Sequence, residues 1–253
     1  MQSECKLENQ INKCSIIIPV LNEPVAIKNI IDRIDSSLNF KFEFLIIADN
    51  VDDQTIPHLS ELKTKNGEIR LLLNLNNPGF SNAIKFGMKK AESPIVVVTM
   101  ADGSDDPSSI SPLVALVERG VTIACASRYI ATGQQIGAPF MKGVLARIAG
   151  KSFHFLTRVG THDCTNNFKA YSKQFLDAVE IDASIGFEIG MELIAKAKRG
   201  GLMVAEIPTI WIERTYGKSN FKILSQIGSY LKWFLHGIGI GKSTALLQEL
   251  KKK

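Results

Sequence analysis

No stretch of this sequence approaches the run of about 18 apolar residues that a helix needs to cross a bilayer. Residues Met1 to Lys13 are polar and hold no apolar core of the kind a secretory signal carries, so secretion is not expected. Cysteine is scarce: Cys5, Cys14, Cys125 and Cys164 are scattered, with no C-x-x-C pair and no ligand spacing. That pattern argues against a disulfide framework or a structural zinc site and points to thiols in a reducing compartment, with a cytoplasmic location as the expectation. Internal repeats and low-complexity linkers are missing as well. What remains is a chain of 253 residues, 45% apolar and 22% charged, enough for one α/β domain with a short appendage.

The charge is unevenly spread. Residues 1–126 hold 12 Lys/Arg against 16 Asp/Glu, and residues 127–253 hold 18 against 9. A basic second half suits phosphate-bearing ligands, anionic headgroups or nucleic acid, and a merely solvated basic face stays open beside them. No nucleic-acid module is visible, so nucleic acid is not an expected partner.

Short, nearly continuous apolar runs alternate with helical patterns through the first half. Cys14–Val20, Phe42–Ala48, Ile69–Leu73, Pro94–Met100 and Val121–Ser127 read as strands buried on both faces of a mostly parallel sheet. Between them, Pro24–Leu38, Thr55–Lys65, Ser81–Ala91 and Pro107–Glu118 carry apolar residues at three- and four-residue spacing, as in Ile27, Ile30, Ile31 and Ile34. Repeated βα units imply right-handed crossovers and a doubly wound α/β fold, whose ligands sit at the carboxyl ends of the strands. Further on, Phe140–Val159, Phe187–Lys198 and Asn220–His236 are helical patterns, Asp163–Tyr171 is polar and then extended, and Leu202–Ile212 reads as one or two strands.

Chemistry is therefore sought in the loops after the strands. The first strand runs into Asn22-Glu23, the second into Asp49-Asn50-Val51-Asp52-Asp53, and the fourth into Ala101-Asp102-Gly103-Ser104-Asp105-Asp106-Pro107. Acidic loops converging on one edge repel one another unless a cation or a donor-rich ligand is present, although each alone is explained by helix capping. Hard divalent ions that bridge carboxylates to substrate phosphates meet that need. Arg128 after the fifth strand, and Arg214 and Lys218 near the last one, supply charges suited to phosphate oxygens. Gly237 to Ser243 mimics a phosphate-binding loop but has His236 where a glycine is required. None of His58, His154, His162 and His236 has a convincing partner by spacing; His162, next to Asp163, reads as a loop histidine.

These residues, taken together, resemble family-two GT-A glycosyltransferases, and more narrowly the dolichol- and polyprenol-phosphate sugar synthases. The resemblance runs from about Cys14 to Lys222. It is carried by Pro19 to Glu23, by Ala48-Asp49-Asn50, by Asn77 to Gly87 with its Gly79, and by Ala126-Ser127-Arg128-Tyr129. Asp163 to Lys169, Gly186 to Glu192, Glu206-Ile207-Pro208 and Arg214-x-x-Gly217-Lys218-Ser219 complete it. The resemblance implies a GT-A fold over residues 14–222, with residues 1–13 a flexible N-terminus and residues 223–253 a helix and basic tail suited to a membrane interface. It implies inverting transfer of a hexose from a nucleoside diphosphate sugar, GDP- or UDP-linked, to a polyprenyl or dolichyl phosphate. Donor-binding positions are Pro19, Asn22, Glu23, Asp49, Gly79, Ala101, Asp102, Arg128, Arg214 and Lys218; catalytic ones are Asp102, Asp163, Arg128, Arg214 and Lys218.

Two departures stand out. Aligned on Pro107, the second aspartate of the family's Asp-x-Asp metal motif is Asp102, and the first falls on Met100, a poor ligand for Mg²⁺ or Mn²⁺. Asp102 and Asp105 are therefore the expected metal pair, with Asp106 a helix cap. Asn167 stands where the family has glycine. A lipid acceptor implies a protein held peripherally on the cytoplasmic face of a membrane, by the basic and apolar patterns of Phe140–Val159 and Asn220–His236 or with a small membrane-anchoring partner. Both patterns are equally readable as stripes packed on the core. Two other functions stay open: transfer to a glycan or protein hydroxyl, which would need Asp163 or Glu192 as base, and a catalytically silent sugar-nucleotide-binding scaffold; where the acceptor is not a hydroxyl, Asp163 is expected to order its loop.

Overall fold

The computed structural model describes residues 12–183, 186–214 and 223–241. Its strands are β1 (Cys14–Val20), β2 (Phe42–Ala48), β3 (Gly67–Leu73), β4 (Ile95–Val98), β5 (Ile123–Ser127), β6 (Gln134–Ile136), β7 (Lys169–Ser172), β8 (Val204–Pro208) and β9 (Ile210–Ile212). The helices are α1 (Ala26–Ser37), α2 (Ile56–Leu59), α3 (Phe80–Lys90), α4 (Ile110–Glu118), α5 (Phe140–Thr157), α6 (Lys173–Ala178), α7 (Ile189–Arg199) and α8 (Ile223–Gly237). A 3₁₀ turn, Pro107–Ser109, precedes α4.

Seven strands form one sheet in the order β3-β2-β1-β4-β7-β5-β8, and β6 pairs with β9 separately. All pairings in the large sheet are parallel except those of β7, which runs antiparallel to both β4 and β5. The apolar run of β2 is buried at every position and that of β1 at all but Pro19, as strands covered on both faces require. Ile16, Ile18, Phe44 and Ile46 pack with Ile27, Ile30, Ile31 and Ile34 of α1 and with α4 on one face. Ile17, Leu45, Val96 and Val98 pack with α3 and α7 on the other. Each such side chain contributes about 1.5–3 kcal/mol by leaving water.

The expected helix over Thr55–Lys65 shrinks to the four residues of α2. Asp35, buried on α1, explains the change: its carboxylate accepts the backbone N–H groups of Lys65, Asn66 and Gly67 at 2.7–3.1 Å, bending that segment into β3. Leu202–Ile212 is two strands in two sheets, β8 and β9, and the chain between Arg128 and Phe140 adds the short strand β6. α8 is seated on the core through Trp233, 3% exposed, and through Phe234, whose ring centroid lies 5.4 Å from that of Phe153 on α5. Cys14, Cys125 and Cys164 are buried free thiols, each pushed up to about 12, chiefly by burial.

This topology brings the loops after β1, β2, β4, β5 and β8 to one edge. Because β7 is reversed, its leading residues, Thr165 to Asn167, reach the same edge from the opposite direction.

Candidate active site

The first two loops are stitched together. Asp53 accepts Asn22 N at 3.0 Å through Oδ2 and Thr55 N at 2.8 Å through Oδ1, while Thr55 Oγ1 accepts Glu23 N at 2.9 Å. Asn22, held at φ 54°, takes Gln54 N on its own Oδ1. The Glu23 carboxylate is thereby fixed at the mouth of the sheet. Its pKa is raised by burial and by Asp102 and Asp53, against the opposing pull of Arg214. Asp49 accepts Asn74 Nδ2 at 2.8 Å and Gly79 N at 2.7 Å, which ties the β2 loop to the start of α3. Gly79 has φ 122°, a backbone that a side chain would strain.

The β4 loop is built around its three carboxylates. Asp102 Oδ1 accepts Ser104 N at 3.0 Å, and Gly103 adopts φ 72° to make that turn. Asp106 caps the following 3₁₀ turn by accepting Ser108 N at 3.0 Å, the helix-capping role its sequence position suggests. Asp105 lies beneath, 2% exposed, with Oδ2 accepting Thr99 Oγ1 at 2.9 Å and Met100 N at 3.2 Å. Its Oδ1 is buried without a hydrogen-bond partner among the described residues. Burial first, and the neighbouring Asp102 second, push its pKa up to about 7. Met100 donates its backbone N–H to Asp105 and lines the cavity described below, and Ala101 is buried in the core.

Arg128 and Asp163 form a buried ion pair, with side chains 10 and 0% exposed. Arg128 Nε and Nη2 lie 2.7 and 2.9 Å from the two Asp163 oxygens, and Arg128 N adds a third bond at 3.1 Å. Burial alone would raise the carboxyl; Arg128 outweighs it and holds Asp163 below the usual carboxylate range. Asp163 also accepts Asn166 N at 3.2 Å, so it orders the loop leading to β7. Of the two roles left open for Asp163, the geometry favours ordering the loop over acting as a base: it is fully buried, charged and occupied. Glu192 is no freer, accepting Asp182 N, Ala183 N and Lys196 Nζ at 2.6–2.7 Å. His162 is bound through N and Nδ1 to Glu206 of β8 and stacks on His154 at 3.7 Å between centroids.

Asn167 has a physical account. Its Nδ2 donates to Phe187 O and its Oδ1 accepts Gly190 N, both at 3.0 Å, so it pins the first turn of α7. Lys169, fully buried with no partner for Nζ among the described residues, has its pKa lowered by burial. Its charge lowers Asp163 further. Lys169 closes the Asp163–Lys169 motif in sequence, where nothing in the residue pattern marks its amine as buried and unpaired.

Of the predicted site residues Asp102, Arg128 and Arg214 line a cavity of about 500 Å³, whereas Asn22, Glu23, Asp49, Gly79, Ala101, Asp105 and Asp163 stand outside its wall. At one end lie Asp102, Arg128, Arg214, Thr165, Asn166 and Asn167; the rest of the wall is largely apolar, from α5, α7 and α8 with Trp211 of β9. Arg214 Nη2 is 2.7 Å from Asp102 Oδ2 and its Nη1 is 3.4 Å from Glu23 Oε1, so it bridges the β1 and β4 loops. All three are expected site residues, and the link between them arises only from the fold. Lys218 lies outside the described residues. Pro19 is on β1 below the loops rather than on the cavity wall. The donor set suits a hard cation: the oxygen Asp102 brings to the cavity, backed by the orphaned Asp105 Oδ1, is carboxylate chemistry of the kind Mg²⁺ and Mn²⁺ prefer, with substrate phosphates completing the shell. Among the described residues no group of three or more His, Cys, Asp or Glu forms an all-protein cage.

The profile of Glycosyl transferase family 2 matches residues 15–179. The chain belongs to that family. Among curated glycosyl transferase family 2 relatives, the dolichol-phosphate mannosyltransferase of Pyrococcus furiosus is 29% identical over 234 residues, covering 87% of this chain. The chain spans 64% of that relative's length. The polyprenol monophosphomannose synthase of Mycolicibacterium smegmatis is 28% identical over 211 residues, 81% of this chain and 79% of its own. A solved structure of Mycobacterium tuberculosis glucosyl-3-phosphoglycerate synthase, in complex with Mn²⁺, UDP and glucosyl-3-phosphoglycerate, superposes with a TM-score of 0.63 at 17% identity, covering 91% of this chain and 81% of that one. The likeness shows the fold, the mostly parallel α/β sheet flanked by helices that the sequence led us to expect.

Proposed function

We propose that this family-two glycosyltransferase transfers a hexose, with inversion, from a GDP- or UDP-linked sugar to a polyprenyl phosphate. One observation carries the reading: a single cavity joins an ionic end, with Asp102, Arg128 and Arg214, to a long apolar wall from α5, α7 and α8. A phosphate on an apolar chain has that chemistry, and a sugar hydroxyl does not. The names of the Pyrococcus and Mycolicibacterium relatives support the same acceptor class.

The residues divide the work. Glu23, Asp49 and Gly79, with Pro19, Asn22 and Ala101 shaping their loops, would receive the nucleoside diphosphate. Arg128 and Arg214, with Lys218, would hold phosphate oxygens. Asp102, supported by Asp105, would hold Mg²⁺ or Mn²⁺, which when bound neutralises charge on a departing diphosphate. A phosphate acceptor is already largely ionised near neutral pH, its second pKa being about 6, and needs no strong base. A hydroxyl acceptor would need one, and Asp163 and Glu192 are both buried and fully engaged. That favours the lipid phosphate over the hydroxyl.

Membrane contact would use α5. Phe140, Ile148 and Phe155 on it are 80, 60 and 66% exposed, with Arg147, Lys151 and Arg158 close in sequence. Among the described residues no helix is long and apolar enough to cross a bilayer. Apolar side chains beside basic ones suit the surface of an anionic leaflet, and we place the protein peripherally on the cytoplasmic face, alone or with a small membrane-anchoring partner.

The test is sugar transfer from a panel of GDP- and UDP-sugars to polyprenyl phosphate in detergent, with Mn²⁺ or EDTA, by wild type and Asp102→Ala. Metal-dependent lipid product that disappears in the variant is the expected result. Nucleotide binding without any lipid product would refute the reading and favour the silent scaffold.

A further inference from the structure

We infer that Arg214 and a divalent cation are alternative occupants of the same carboxylate oxygen of Asp102, so that the cation enters this site together with a nucleotide diphosphate and not as a free ion. The inference rests on the proposed reading of the site and concerns its order of binding.

Both oxygens of Asp102 are engaged. Oδ1 accepts Ser104 N at 3.0 Å from within its own loop, and Oδ2 faces Arg214 Nη2 at 2.7 Å. The guanidinium is held from the other side by Glu23 Oε1, 3.4 Å from Nη1. Its backbone approach is fixed too: Ile212 N donates to Ser104 O at 3.0 Å, which ties β9 to the same β4 loop that carries Asp102, and Glu213 N donates to Ile136 O of β6 at 2.8 Å. The side chains of Arg214, Asp102 and Glu23 are 18, 8 and 21% exposed, which weakens solvent screening.

A free dication reaching for Asp102 Oδ2 must displace a guanidinium that loses its closest anion and gains nothing in exchange. Two positive groups would then crowd one carboxylate. A diphosphate arriving with the cation changes the balance. Its oxygens accept the Arg214 fork, charge-assisted and often bidentate, while the cation takes the oxygen that Arg214 gives up. The ion pair that Arg214 gives up is replaced by one to the diphosphate, and Glu23 keeps Arg214 close enough to move between the two anions. Asp102 is thus shielded from metal until the donor substrate is present.

The experiment is titration of Mn²⁺ into the full chain, followed by the electron paramagnetic resonance signal of the free ion, for wild type and Arg214→Gln, alone and with saturating GDP or UDP. Without nucleotide, Arg214→Gln is expected to bind Mn²⁺ at least tenfold more tightly than wild type. With nucleotide the ranking inverts, because wild type regains Arg214 as a phosphate ligand. Adding Asp102→Asn to Arg214→Gln should abolish the gain and so locate it. If Arg214→Gln does not fold by circular dichroism, Arg214→Met, which keeps an apolar stem, takes its place with the same expected outcome. Nucleotide-free affinity within twofold of wild type, or weaker, overturns the exchange while leaving metal-assisted transfer intact if wild type binds Mn²⁺ with nucleotide. Failure of every protein to bind Mn²⁺ under either condition overturns the exchange and the metal role together, and the lipid-product assay then decides the acceptor separately.

Discussion

Replacing Asp163 by asparagine would test how much the site depends on the buried carboxylate that holds Arg128. Asp163 is fully buried and takes three bonds from Arg128, two of them from the side chain at 2.7 and 2.9 Å. Removing one partner of a buried pair costs about 3–5 kcal/mol, because the other charge stays desolvated and unpaired. Asparagine keeps the shape but has one acceptor oxygen where Arg128 N and Asn166 N use two, so the loss should fall within that range and not below about 3 kcal/mol. Against a typical domain stability of about 5–15 kcal/mol, the variant folds but with a lower urea midpoint at pH 7.5. Arg128→Met should cost a similar amount, and the double variant much less than their sum, a coupling of about 2–3 kcal/mol. The pH dependence has a definite sign. Asp163 is depressed in the folded protein, so its contribution is present above the unfolded value of about 3.9 and is lost as pH falls through the lower folded value. Asp163→Asn should therefore lose least stability relative to wild type in strong acid. A cost below 1 kcal/mol at pH 7.5, or strict additivity in the double variant, would refute the reasoning.

Other expectations concern neighbouring parts. Asp105, raised to about 7, binds its proton in the folded state where the unfolded chain has released it, so it makes stability fall as pH rises from about 4 to about 7. In metal-free buffer, Asp105→Asn should flatten that fall and be more favourable relative to wild type at pH 8 than at pH 5, by urea midpoint. Gly150 of α5 faces His162 O so closely that an added Cβ would lie 2.1 Å from it; Gly150→Ala should push the helix away and cost about 1–3 kcal/mol, with loss of vesicle binding if α5 is the docking element. Glu206→Gln removes a charged acceptor from Thr161 Oγ1, His162 N and His162 Nδ1. It should lower stability by about 1–2 kcal/mol in thermal melts.

The sheet was readable because β1, β2, β4 and β5 are buried apolar runs at regular spacing, and burial on both faces leaves few alternatives. The acidic loop ends were readable for the same reason: parallel strands bring their carboxyl ends to one edge. Three features were not. α2 stops early because of Asp35, more than 20 residues upstream, whose capture of three N–H groups leaves no periodic trace. β6 is three half-exposed residues paired across about 75 positions with β9, and neither strand is apolar enough to announce itself. The Glu23–Arg214–Asp102 bridge joins residues 191 positions apart at its widest and appears only once three loops meet. The role of Asp163 was legible only as two alternatives, because a motif fixes residue type and spacing but not whether a carboxylate faces solvent or a guanidinium.

The reversed strand β7 has a consequence for how such a chain is made. It lies between β4 and β5, yet it is synthesised after both, so each of them has an edge unsatisfied until residue 172 has emerged. At synthesis rates of about 5–20 residues per second, the stretch from Ser127 to Ser172 leaves a window of about 2–9 seconds in which two apolar strand edges await one partner. The strand that closes them also carries Lys169 and follows Thr165 to Asn167 directly, so the event that joins the two halves of the sheet also brings these residues beside Arg128, and Arg214 reaches Asp102 only after that.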